Sequence, residues 1–359
     1  MSVPTYDALK LPSHVKTILI TGAGGFVGQK LTELLLERFP SLRIITTDII
    51  EPPTFTSDKS RLRVVKADLG DASQLKSLFE GETIGGVFAL HGIMSGGSEA
   101  NFELGYAVNV DSHVALLKAT HAHAKATGQE GATKPVYVFV SSLAIYGGPK
   151  CRPQDFVVPD ETPLLPGTSY GVEKNIIELY AYDYGRKGYL DTRSVRLPSV
   201  VIRSGAPSTA ASSFMSGVIR EPLQGIPTVV PIASGLDDDM LDTMGCYVTR
   251  FKTVIRNIAY AICMPESKFK KGESRSINLP GIKVTPRQML QALEEHGGPE
   301  ALKLVSFKVD SAVLAICETW AGDYDSTQFQ SMGFEVDDKA TGYGLAVQDF
   351  KQELAAAKK

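Results

Sequence analysis

A tyrosine and a lysine stand four positions apart in the stretch SYGVEK, residues 169 to 174. On a helix, positions i and i+4 share a face, so the phenol of Tyr170 and the ammonium of Lys174 can converge on one point. A phenol beside a fixed cation is a proton-transfer group. A free tyrosine has a pKa of about 10, and acting as a base around neutrality requires a fall of about three units, roughly 4 kcal/mol. One cation at about 4 Å, at an effective dielectric of about 20, supplies that much. Lys174 is therefore expected to activate Tyr170.

A second cluster points to the partner of that chemistry. The stretch TGAGGFVG follows an apolar run at 15 to 21 and opens a helical pattern in which Phe26, Val27, Leu31, Leu34 and Leu35 share a face. It places Gly22, Gly25 and Gly28 in a G-x-x-G-x-x-G array. Glycines permit a tight turn and close backbone approach, while free amides and the helix dipole attract a pyrophosphate. The next strand ends in Asp48, where an acid hydrogen-bonds the adenosine ribose and repels a 2'-phosphate, so NAD is expected rather than NADP. Asp68, in KADL, is placed either to accept from the adenine amino group or to cap the helix starting near Asp71. His91 ends the fourth strand, where the cofactor would pass, and reads as structural, with no proton role.

These groups need a scaffold, and the first half of the chain supplies one. Near-continuous apolar runs at 15 to 21, 42 to 48, 62 to 68, 85 to 91 and 135 to 142 suit strands buried on both faces. Helical patterns lie between them, including a long amphipathic one from Asn101 to Thr127, and a further strand at 192 to 200 follows the helix carrying Tyr170. This alternation predicts an α/β fold, a doubly wound parallel Rossmann sheet over 1–203. The fifth strand brings Ser141 and Ser142 to its carboxyl end, the edge where such sheets bind ligands, completing a Ser, Tyr, Lys set. Beyond residue 203 the rhythm weakens and Pro, Gly and Ser cluster in RSGAPSTAASS. A smaller α+β substrate-binding domain is expected over 204–359, with segments that could return to the sheet and helices at 212–224, 250–264, 285–296, 309–319 and 343–357.

Composition narrows the partners. Of 359 residues, 43% are hydrophobic and 21% charged, as in soluble globular chains, and the net charge of -3 carries no basic footprint for nucleic acid or anionic membrane. A small molecule is the expected partner. Cys151, Cys246, Cys263 and Cys317 lack paired metal or redox spacing, so reduced structural thiols and no metal are expected. No secretory h-region or long apolar run is present, which predicts a cytoplasmic protein.

In TGAGGFVG, Asp48, the ADL at 67 to 69, Asn109 in VNV, the serine of SSLAIYG and YGVEK, the chain resembles the extended short-chain dehydrogenase/reductases, the NAD-dependent epimerase/dehydratase family. The motifs run in family order over about the first 200 residues. The resemblance implies NAD held by Gly22, Gly25, Phe26, Val27, Gly28, Asp48, Asp68, Leu69, Leu90, His91, Asn109 and Leu197, with Tyr170 and Lys174 at the nicotinamide ribose. It selects Ser142 over Ser141, because the family serine lies four residues before the tyrosine of IYG. It also implies the roles: Tyr170 removes the hydroxyl proton, Ser142 hydrogen-bonds that oxygen, and hydride leaves for the cofactor.

The substrate half, RLPSVVIRSGAPSTAASSFMSGVIREPLQG with INLPG further on, looks like the D-erythronate dehydrogenase branch of that family, which implies oxidation of a short sugar acid. The SPR motif of that branch reads VTRF here, and only Arg250 survives. Candidate substrate contacts are Ser95 in HGIMSGG, Ser142, Ser212, Ser213, Arg203 and Arg250, with Arg220 a further guanidinium in the same half. Guanidinium groups suit a carboxylate because they bind it bidentately. The arginines can equally form ion pairs, and Ser212 or Ser213 can cap a helix. Two other functions compete: nucleotide-sugar epimerisation and non-catalytic NAD sensing. The intact triad argues against sensing, and Leu143 and Ala144 stand where related dehydratases carry Asp-Glu, which disfavours dehydration. A homodimer through helices at about 101 to 127 and 169 to 187 is implied by the family.

Overall fold

Strand β1, Thr17–Thr21, is buried at every position and lies inside a seven-stranded sheet. In this computed structural model, residues 4–149, 151–205, 210–270 and 272–357 are described; Ala206 to Thr209 of the expected substrate segment lie outside them. On one side of β1 come β2 (Arg43–Asp48) and β3 (Leu62–Lys66). On the other come β4 (Gly86–Ala89), β5 (Val136–Ser142), β6 (Asp191–Leu197) and the edge strand β7 (Ser276–Asn278). All these pairs are parallel, in the order 7-6-5-4-1-2-3. The order reverses between β1 and β4, and the crevice at the carboxyl ends of these two strands is the ligand edge of such a sheet.

Side-chain alternation along the strands sorts the core into two layers. Ile18, Ile20, Ile44, Phe88 and Val138 face Leu31 and Leu35 of helix α1 (Phe26–Arg38) together with Ile255, Ile258 and Ile262. Leu19, Ile45, Val87, Tyr137 and Phe139 face the opposite layer, with Leu116, Leu117 and Ile177. Each fully buried aliphatic side chain contributes about 2 kcal/mol before entropy is counted. A separate core of buried residues gathers Ile202, Phe214, Ile219, Met289, Leu293 and Phe350 from the C-terminal half.

Two features depart from the sequence pattern. The expected long helix from Asn101 to Thr127 is preceded by a short helix α2 (Ser95–Ala100) and is itself interrupted: α3 (Phe102–Tyr106) passes through a π-helical turn, Ala107–Asp111, into α4 (Ser112–Ala126). The strand expected over 192 to 200 ends at Leu197, because Pro198 has no amide to continue the ladder. The chain then joins another sheet, Ser199–Val201 pairing with Cys246–Arg250, which in turn pairs with Ile282–Val284. The C-terminal half also returns to the first layer, through β7 and the helix Phe251–Cys263.

The Tyr170 helix, α5 (Ser169–Arg186), begins where expected because the Thr168 hydroxyl accepts from the Gly171 amide at 3.2 Å. Among the described residues no helix is long and apolar enough to cross a membrane. No group of three potential metal-ligating side chains is found among them. All four cysteines are buried free thiols.

Candidate active site

One cavity of about 780 Å³ runs along the switch point and continues towards the C-terminal half. Its dinucleotide end is made mostly of backbone. Gly22 takes a positive φ of 67°, and a Cβ there would lie 2.6 Å from the His91 amide nitrogen. A Cβ on Gly28 would lie 2.4 Å from the Gly22 carbonyl oxygen. Gly25 caps α1 without a side-chain hydrogen bond, so the first-turn amides have no side-chain acceptor. Phe26 and Val27 line the cavity there. Open amides at a helix start, in a turn with no room for a Cβ at Gly22 or Gly28, fit a pyrophosphate.

Asp48 also lines the cavity, and its carboxylate already accepts from Gly24 N at 2.9 Å and Ile49 N at 2.7 Å. Each carboxylate oxygen has a second lone pair, which leaves acceptor capacity for ribose hydroxyls. The two readings of Asp68 separate: Asp71, not Asp68, caps the following helix by accepting from Ser73 N and Gln74 N. Asp68 and Leu69 lie in the cavity wall, as do Leu90 and Leu197.

His91 sits under this wall with both ring nitrogens engaged. Ser112 Oγ donates to the Val108 carbonyl at 2.6 Å, so it accepts from His91 Nε2 at 2.9 Å, and the Thr21 hydroxyl donates to His91 Nδ1 at 2.7 Å. The ring stacks on His113 at 3.6 Å. Burial, helped by the Lys174 cation, pushes His91 down to about 3, so it is neutral and structural at ordinary pH.

Asn109 does not reach the cofactor groove. Its amide is fully buried, its oxygen accepts from Ile93 N at 2.9 Å, and its nitrogen donates to the Ile93 carbonyl at 3.1 Å and to Glu173 at 2.6 Å. The π-helical turn aims it at the loop beneath Ser95 rather than at the cavity, so its expected cofactor contact is corrected to a loop-holding one.

Ser142, Tyr170 and Lys174 meet where the two ends of the cavity join. Ser142 ends β5, accepts from Ala144 N at 3.1 Å and stands near enough to the Tyr170 hydroxyl to lower its proton affinity. Lys174 is buried, donates to the Val140 carbonyl at 3.1 Å and holds its nitrogen 5.6 Å from the Tyr170 ring centre. The electrostatics differ from expectation. Burial pushes the Tyr170 phenol up to about 12, against the lowering effects of Ser142 and Arg203, and burial pulls Lys174 down to about 8, against Glu173 and Glu178. Lys174 alone therefore does not bring the phenol towards neutrality: its ammonium is turned to a carbonyl, and desolvation wins.

Ser95, Ser212 and Arg203 also line the cavity, and Arg203 borders Phe26, Gln29 and Lys30 of α1 as well. Ser213 does not line it, standing at the start of the helix Phe214–Arg220. Arg250 is removed from the substrate candidates: its guanidinium bonds Asp349 at 2.8 and 3.0 Å, and its amide donates to Asp337 at 2.8 Å. Arg220 is likewise engaged, with Glu221 at 3.0 Å and the Arg203 carbonyl at 3.1 Å. The sequence reading missed Met244, Tyr247, Trp320 and Tyr324, which complete this wall. They come from short or irregular segments, so no periodicity could have marked them.

The chain matches the description "NAD dependent epimerase/dehydratase family" over residues 18–237. It is 35% identical to a D-erythronate dehydrogenase of Cupriavidus necator over 89% of this chain and 94% of that one. A second D-erythronate dehydrogenase, of Haemophilus influenzae, is 33% identical over 89% and 95%. Among solved structures, a nucleoside-diphosphate-sugar epimerase from Agrobacterium tumefaciens superposes with a TM-score of 0.82 at 26% identity, covering 99% of this chain and 98% of that one. The glycine turn, the strand-end acid and the sheet order are thus those of a matched family, and the chain belongs to the NAD-dependent epimerase/dehydratases, the extended short-chain dehydrogenase/reductase enzymes that use NAD.

Proposed function

We propose that the protein oxidises a hydroxyl group of a short sugar acid or hydroxy acid, D-erythronate-like in size, with Ser142, Tyr170 and Lys174 as its catalytic residues. The observation that carries this reading is a single phenol, Tyr170, flanked by the Ser142 hydroxyl and by the field of the Arg203 guanidinium at the junction of the cavity. Bound NAD supplies the hydride acceptor. Tyr170 takes the hydroxyl proton, Ser142 holds the same oxygen, and Lys174 keeps positive charge on that face of the helix. In this reading ionisation of the phenol, which bound oxidised nicotinamide would favour, promotes turnover, and loss of the Lys174 proton opposes it.

Arg203 supports an acidic substrate. Among the described lining residues the cations are Lys174 and Arg203, and a guanidinium in that wall suits a carboxylate because it binds one bidentately. Ser95 and Ser212 would offer hydroxyls to the remaining oxygens, and Met244, Trp320 and Tyr324 line the same cavity. The two relatives aligned over nearly their full length are D-erythronate dehydrogenases, which agrees with this size and charge.

A second reading, nucleotide-sugar epimerisation, draws on the likeness to the Agrobacterium protein. Net NADH formation across four- to six-carbon hydroxy acids and a set of nucleotide sugars separates the two. NADH accumulating with a short acid is the expected result, interconversion of sugars without NADH overturns it, and NAD binding without turnover on any substrate favours a sensor. We also propose a homodimer through α3, α4 and α5, where Phe102, Leu104, Leu179 and Tyr180 expose apolar surface. Sedimentation at the mass of one 38.7 kDa chain would remove that part of the proposal.

A further inference from the structure

Glu173, the residue before Lys174, is an acid with no exposed surface. One carboxylate oxygen accepts from Asn109 Nδ2 at 2.6 Å and from Ser98 Oγ at 2.9 Å. The other has no hydrogen-bond partner among the described residues and is pressed towards Gly105, where a Cβ would lie 2.3 Å from it. The niche is thus built from three elements to admit this one side chain: Ser98 from α2, Gly105 from α3 and Asn109 from the π-helical turn.

The same contacts reach the substrate wall. Asn109 grips both backbone groups of Ile93, and Ser98 shares α2 with cavity-lining Ser95. A second acid closes the joint from the other side, because Glu99 accepts from Ser169 N, the first residue of α5, at 2.5 Å. The wall that carries Ser95 is therefore fastened to the catalytic helix at its start and one turn in. We infer that Glu173 is a positioning residue: it anchors the Ile93 to Ala100 segment to the helix of Tyr170 and Lys174, and its buried negative charge tunes that pair. This deepens the proposed function and rests on it.

The charges around the pair define what removing Glu173 would do. On the sheet side Lys174 meets the Val140 carbonyl and the stacked rings of His91 and His113, both driven low by burial and so neutral. On its own helix it faces Tyr170, Glu173 and Glu178, the last paired with Arg196 at 2.7 Å, and Arg203 faces the phenol from the substrate end. Glu173 raises the proton affinity of both Lys174 and Tyr170. Neutralising it lowers both, so both limbs of the pH profile should move the same way, towards acid.

Two variants and a compensating pair test this. Glu173→Gln keeps a carbonyl oxygen for Asn109 and Ser98 but removes the charge; kcat/KM at saturating NAD should slide to lower pH by about one unit with KM for the acid little changed. Glu173→Ala loses both functions, so KM should rise as well. Gly105→Ala should damage the wall through its clash, and Glu173→Ala in the same chain should restore thermal stability and substrate KM towards those of Glu173→Ala alone. Labelling of the Lys174 amine at graded pH, followed by peptide mass spectrometry, reads the same shift without any substrate. If wild type oxidises no hydroxy acid, the proposed function fails and the labelling still decides the charge effect. Unmoved limbs and labelling in a folded Glu173→Gln protein, with KM unmoved in Glu173→Ala, would overturn the inference.

Discussion

The residues proposed to hold the dinucleotide, Gly22, Gly25, Gly28 and Asp48, come from one βαβ stretch, whereas those proposed for the substrate, Ser95, Arg203, Ser212 and Trp320, come from segments scattered between α2 and the C-terminal half. The first end works through backbone amides and the absence of Cβ atoms, so its requirements are local and nearly independent of what is bound beyond it. The second works through side chains whose positions depend on long-range packing. On the proposed function, cofactor binding and substrate choice would thus rest on separable parts of the molecule, with Tyr170 between them.

The largest expected effect comes from removing the group that belongs to neither end. Tyr170→Phe deletes one hydroxyl at the junction and leaves the glycine turn, Asp48 and Arg203 in place. Turnover should fall by about 10³-fold. The dissociation constant for NAD, followed by calorimetry, should stay within about twofold, since a lost cofactor hydrogen bond exchanged with water is worth little. Retained turnover would end the proposed chemistry, and lost NAD binding would show that the two ends are not separable.

A smaller effect is expected from a single methyl group at the dinucleotide end. The Cβ of Gly28→Ala would approach the Gly22 carbonyl oxygen at 2.4 Å and the Ala23 Cα at 2.7 Å, both backbone atoms of the same turn. Reopening that turn should cost about 2 kcal/mol, roughly a thirtyfold weakening of NAD binding. KM for the acid, measured at saturating NAD, should barely move.

The same division explains what the residues disclosed before any coordinates. Strand runs, the glycine array, Asp48 and the i, i+4 placing of Tyr170 and Lys174 are properties of neighbours in the chain, and β1, β2, β5 and α5 follow them closely. Asn109 and Arg250 illustrate the limit. The motif match left Asn109 either a cofactor contact or a packing residue and Arg250 either a carboxylate anchor or an ion pair, and only the fold shows the first turned by a π-helical step towards Ile93 and the second meeting Asp349, about a hundred positions away. Glu173 gave no signal either, since its meaning lies in a glycine and an asparagine on another element. The electrostatic expectation for Lys174 likewise took no account of burial, which is invisible in the sequence and raises the proton affinity of the phenol.

The two arginines give the mildest and most discriminating comparison. Arg203 lines the cavity and lowers the proton affinity of Tyr170, while Arg250 is held by Asp349 and Asp337 in the C-terminal core. Arg203→Met should raise KM for the hydroxy acid by about tenfold through one lost charge-assisted contact. It should also move the ascending limb to higher pH. The sign follows from the phenol: burial already holds Tyr170 high, Arg203 favours its anionic form, and losing that cation makes the proton harder to remove, so the rate at a fixed pH below the limb falls. Arg250→Met should leave KM and the limb in place but lower the free energy of unfolding by about 3 kcal/mol, because two buried carboxylates lose a partner. A raised KM with an unmoved limb would confine Arg203 to binding, and an unchanged KM would transfer the carboxylate to the hydroxyl groups of Ser95 and Ser212, so that a charged substrate would no longer be favoured over a neutral one.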